Sequence, residues 1–90
     1  MATLLVGYDL NKPGQDYEPL WDKLKSFGNW WHHLDSTWLV RTNLTPIEMR
    51  DALGSLLDSS DELLVIDVTG KSWAGRGFEE SAYAWLRDNL

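Results

Sequence analysis

The sequence predicts an α+β fold built on one four-stranded antiparallel sheet, and three observations carry that reading. Four short apolar or β-rich runs, at residues 3–9, Trp30–Leu34, Thr37–Thr42 and 63–68, have strand length. Apolar residues recur at spacings of three and four between them, the helical period. Glycine and proline fall between these segments, where they act as punctuation. The first run, TLLVGYD, ends in a polar stretch containing Pro13 and Gly14, as a buried strand would. In the next element Asp16 is placed to cap a helix, Pro19 lies in its tolerated first turn, and Tyr17, Leu20, Leu24 and Phe27 form one stripe until Gly28 stops it. The runs at Trp30–Leu34 and Thr37–Thr42 are separated only by Asp35 and Ser36, which predicts a hairpin.

Thr45-Pro46-Ile47-Glu48 reads as a capping box, with proline in the first helical position. The helix it starts continues through Met49, Ala52, Leu53, Leu56 and Leu57, carrying Gly54 at a propensity cost of ~1 kcal/mol relative to Ala. A fourth strand follows at 63–68. After a loop broken by Gly70, Gly75 and Gly77, the residues Phe78, Ala82, Trp85, Leu86 and Leu90 mark a last amphipathic helix. Two interleaved strand–helix–strand units with right-handed crossovers give a ferredoxin-like βαββαβ sheet in the order 4-1-3-2, with two helices on one face and an extra C-terminal helix. The chain reads as a single domain, residues 1–90, with a core at 3–68 and a loop and helix at 69–90. Its strands are apolar on both faces. Two helices cover only one face, so the second calls for the C-terminal helix, a second copy of the chain, or both.

Composition narrows the function classes. The 90 residues hold 14 Asp plus Glu against 8 Lys plus Arg, a net charge of −6, and 43% are hydrophobic. A chain of this size buries only ~60–65% of its unfolded surface, so a homodimer is the simplest supplement to a thin core. The absence of cysteine removes disulfides, thiolate metal sites and a cysteine nucleophile. No long apolar run and no secretory leader pattern is present, which predicts a cytoplasmic protein with no membrane span. The acidic balance argues against sequence-blind coating of DNA, which needs a dense Lys/Arg footprint.

Several motifs, taken in order, resemble the small CRISPR-associated nuclease family Cas-two and its VapD-like relatives. The opening strand ends in Tyr8-Asp9, Ser36-Thr37-Trp38 stands at the hairpin, Leu44-Thr45-Pro46-Ile47-Glu48 opens the second helix, and residues 61–68 form an acidic turn and last core strand. The resemblance covers roughly residues 3–68. It implies a homodimer that cleaves RNA or DNA with Mg²⁺ or Mn²⁺, with Asp9 as catalytic metal ligand and Ser36 as a phosphate contact. A hard cation held by carboxylates neutralises a phosphodiester and lowers the pKa of bound water. The family often has glutamine two residues before that serine, where Leu34 stands, and its C-terminal segment adds a strand to the partner subunit, where this chain predicts loop and helix.

Each candidate has a plainer alternative. Asp9, Asp35, Ser36 and Asp61 are also ordinary strand-end and turn residues. The His32-His33 pair invites an acid–base reading, but neighbours on a strand point to opposite faces and do not chelate one ion. The six tryptophans can stack on bases, yet they lack interleaved Lys or Arg and suit packing better. Thr69-Gly70-Lys71-Ser72 mimics the end of a phosphate loop, with Val65 where its first glycine belongs. The rival to a nuclease is a non-catalytic dimeric module that binds a protein partner.

Overall fold

The structure, a computed structural model, describes residues 1–90. Four strands, β1 (Ala2–Asp9), β2 (Trp30–Leu34), β3 (Thr37–Thr42) and β4 (Glu62–Asp67), alternate with three helices, α1 (Glu18–Lys25), α2 (Pro46–Gly54) and α3 (Glu80–Asn89). The antiparallel sheet has the order β2-β3-β1-β4, which read from its other edge is β4-β1-β3-β2. β1 lies in the interior and sets the register. It pairs with β3 from Ala2↔Thr42 to Gly7↔Thr37, and with β4 from Leu4↔Asp67 to Asp9↔Glu62. The β2–β3 hairpin carries an irregularity between Trp31 and Leu34.

Because strand side chains alternate, β1 feeds two separate cores. Leu4, Val6 and Tyr8 join Trp38 and Val40 of β3 beneath α1 and α2, where Leu20, Leu24, Met49 and Leu53 are fully buried. Each fully buried aliphatic side chain contributes roughly 1.5–3 kcal/mol of transfer free energy. Leu5, on the other face, packs with Trp31, Leu39 and the α3 residues Ala82 and Leu86. The second face is therefore shared out: α3 covers its centre, and Leu64 and Ile66 of β4 remain 60% and 44% exposed.

Local chemistry explains the helix limits. In α2 both halves of the capping box form: Thr45 Oγ1 accepts from the Glu48 amide at 3.2 Å, and the Glu48 carboxylate accepts from the Thr45 amide at 2.9 Å. α2 stops at Gly54, short of the expected continuation, and Leu56 and Leu57 pack against the core from the following turn. α1 starts differently from the sequence reading. Tyr17 is its N-cap residue and makes no side-chain cap, while Asp16 accepts from the Glu18 amide in the preceding turn. α3 starts at Glu80, so Phe78 belongs to the preceding loop.

The C-terminal end of α3 is fastened to the sheet. Arg41 donates to Thr3 Oγ1 at 3.0 Å and to the Asn89 carbonyl at 3.4 Å, and Thr3 Oγ1 also donates to that carbonyl. Asn29 ties in from the side, accepting from Trp85 Nε1 at 2.7 Å and donating to the Asn89 side chain at 2.9 Å. No helix is long and apolar enough to cross a membrane.

Candidate functional site

The register brings Asp9 and Ser36 together. Gly7 pairs with Thr37 and Asp9 with Glu62, and the Tyr8 amide donates to the Ser36 carbonyl at 3.1 Å. Asp9, Ser36 and Glu62 line one shallow depression of about 350 Å³ with Gly7 and Leu64. All three polar residues are exposed. Neither the Asp9 carboxylate nor the Ser36 hydroxyl is held by a hydrogen bond within the chain. No Lys or Arg lines the depression. Within one chain, no group of three His, Asp or Glu side chains is placed to hold a metal ion. Asp9 with Glu62 supplies at most two carboxylates, so a resident Mg²⁺ or Mn²⁺ here would draw its other ligands from water or a second copy.

The neighbours of Asp9 are structural. Tyr8 is turned into the core, where its hydroxyl accepts from Trp38 Nε1 at 2.9 Å and Trp21 Nε1 at 3.1 Å. Asp61 lies one residue from the Asp9–Glu62 pair, but its carboxylate is taken up by other groups. Its carboxylate accepts from the Asn11 amide at 2.6 Å, the Asp58 amide at 2.8 Å and the Tyr17 hydroxyl at 2.7 and 2.8 Å. Partial burial pushes the Asp61 carboxyl up, but these donors outweigh it and hold it below the usual carboxylate range. The same contact helps burial push the Tyr17 phenol upward. Asp58 is held down to about 2 by the Ser60 hydroxyl, the Ser60 amide and Lys12, which lies 3.2 Å away.

The remaining motifs divide in the same way. His32 stacks on Trp38, with centroids 3.9 Å apart and an interplanar angle of 11°, and its Nε2 lies 3.2 Å from the Asp35 carbonyl. His33 packs on the other side against Trp31 and Phe78. The two imidazoles therefore sit on opposite faces and form no joint site. Four of the six indole N–H groups, on Trp21, Trp31, Trp38 and Trp85, are satisfied by groups of the chain itself. Thr69 closes the end of β4: its amide and hydroxyl donate to Asp67 Oδ1 at 3.0 and 2.6 Å, and its Oγ1 accepts from the Thr3 amide at 2.8 Å. Nine residues separate Gly70 from α3, so no helix N-terminus follows the Thr69–Ser72 motif to cradle a phosphate.

Sequence reasoning missed a larger concavity on the second face. It holds about 460 Å³ between the sheet, α3 and the loop after β4, with Leu5, Trp31, Leu39, Trp73, Phe78 and Leu86 among its walls. The signal was present only as two aromatic residues, Trp73 and Phe78, in a loop without hydrophobic period. No protein-family model matches the chain, and no solved structure matches it significantly.

Proposed function

We propose that this chain is a ferredoxin-like interaction module that pairs with a second copy of itself along β4. The observation that carries the reading is the state of that strand. β4 is a sheet edge, so one row of its backbone amides and carbonyls has no neighbouring strand. Its Leu64 and Ile66 are exposed on the face that α3 leaves uncovered, and Ile47 of α2, which shares a concavity with Leu64 around the sheet edge, is 63% exposed. An apolar, exposed edge strand is a template for strand addition. A closed two-fold pairing would satisfy the edge, cover Leu64 and Ile66, and bury more than about 1,000 Å² in total.

Light scattering across a dilution series tests this. The expected result is a dimer at micromolar concentration that Ile66→Lys converts to a monomer with an unchanged far-ultraviolet spectrum. A wild-type monomer throughout the series would overturn the reading, and would point to a different protein as the strand donor.

A second reading, divalent-metal-dependent cleavage of RNA or DNA in the manner of the Cas-two and VapD-like group, is favoured by one observation. The Asp9 carboxylate and the Ser36 hydroxyl, neither held by a hydrogen bond within the chain, line one depression beside the pairing edge. In this reading Asp9 would hold Mg²⁺ or Mn²⁺, and the ion would supply the positive charge that the depression lacks for a phosphodiester. Ser36 would contact the phosphate.

A further inference from the structure

We propose that the groove between α3, the second sheet face and the loop after β4 binds a small amphipathic carboxylate, a molecule with an apolar body and one anionic head. At about 460 Å³ the groove lies within the range of small-molecule sites. Its floor is apolar: Leu5 and Leu39 come from the interior strands, Trp31 from β2 and Leu86 from α3. Two aromatic residues of the loop, Trp73 and Phe78, form the outer wall, and Trp73 is 40% exposed. An indole left part-exposed over an apolar floor gains contact area when a ligand fills the space beneath it.

The head group follows from charge. This chain has 8 Lys plus Arg and a net charge of −6, yet two of those cations, Lys71 and Arg76, line this one groove. Neither forms a salt bridge, as is also true of Lys23, Lys25 and Arg41, and, after the Thr69 hydroxyl and amide, the charge of Lys71 helps to hold the Asp67 carboxyl, outside the groove, below its usual range. No Asp or Glu lines the groove. An apolar cleft with two unpaired cations, in an otherwise acidic molecule, is complementary to an anion carrying hydrocarbon. Arg76 offers a planar fork that fits a carboxylate, and Lys71 a point charge.

The site is independent of the β4 pairing, because neither Leu64 nor Ile66 lines it. Decanoate is the probe, with decanol as its uncharged counterpart, and the readout is tryptophan fluorescence from Trp31 and Trp73, checked by isothermal calorimetry. Saturable one-to-one binding of decanoate is expected, about tenfold or more tighter than decanol, and the Lys71→Gln/Arg76→Gln double variant should lose that preference while still binding decanol. Both substitutions lie on exposed loop positions and leave the cores untouched. A Trp73→Leu variant should lose most of the fluorescence change while the calorimetric binding persists. No saturable binding of decanoate, equal binding of decanoate and decanol, or an unchanged preference in the double variant would each overturn the proposal.

Discussion

Tyr8 and Trp38 meet across the sheet through a buried hydrogen bond, the indole Nε1 donating to the phenolic oxygen at 2.9 Å. Trp21 of α1 donates to the same oxygen from the other side. One hydroxyl thus joins an interior strand, its neighbour and a helix, which is why the side chain of the tyrosine before Asp9 serves the fold.

Replacing Tyr8 with Phe should therefore destabilise the protein by about 1–3 kcal/mol, because the fully buried Trp38 N–H loses its acceptor and no water can replace it. Urea denaturation checks this. A change below about 0.5 kcal/mol would show that the indoles find other partners.

Thr45→Ala should cost ~1 kcal/mol and lower the melting midpoint by about 4–8 °C, since it removes the acceptor for the Glu48 amide and half of the capping box. Calorimetry reads it directly. An unchanged midpoint would mean that the cap contributes nothing in solution.

Stability should fall in acid in a defined window. Asp58 and Asp61 both have folded pKa values below the ordinary 3.8, with Asp58 down at about 2. A carboxyl depressed on folding contributes stability that is complete above its unfolded value and is lost as pH drops through its folded value. The denaturation midpoint should thus be flat from pH 7 to about 5, then decline toward pH 2. Asp61→Asn should lower the midpoint at neutral pH and flatten that decline, and an unaltered acid limb in this variant would remove Asp61 from the account.

Asp9→Asn discriminates between the two functional readings. If the chain cleaves RNA or DNA, cleavage should require Mg²⁺ or Mn²⁺ and vanish in this variant, while melting midpoint and oligomeric state stay as in the wild type. Asn keeps the size of Asp and loses the charge that holds a hard cation. Absence of metal-dependent cleavage above a buffer control, or full cleavage by the variant, would leave the interaction module alone.

Much of the architecture was legible because its determinants are local. The Thr45–Glu48 cap is written in four adjacent residues, and the two-faced strands are written in alternation, as at Leu4, Leu5 and Val6. Asp9 and Ser36 meet because the sheet topology brings the end of β1 and the β2–β3 turn together. What the sequence hid depends on tertiary partners. Asp61 reads as one more acid in a polar turn, and only the return of Tyr17 and Asn11 shows it to be a structural acceptor. The start of α1 was misread because Asp16 satisfies a turn amide just before the helix rather than capping the helix itself. The groove has no periodic signal, since Trp73 and Phe78 gain their meaning only by lying over Trp31 and Leu86.

The fastening of Asn89 by Arg41 and Thr3 has a counterpart in the first turn of α3, where Trp31 Nε1 donates to the Ala82 carbonyl at 3.2 Å. Helix ends ordinarily open first. Here both ends of α3 are held, Asn89 at the last turn and the buried Ala82 at the first. Local opening of this layer should therefore release both fastenings together, so amides through the body of α3 should exchange at one common rate. A single opening event of that kind would uncover Leu5, Trp31 and Leu39 without disturbing the core beneath α1 and α2.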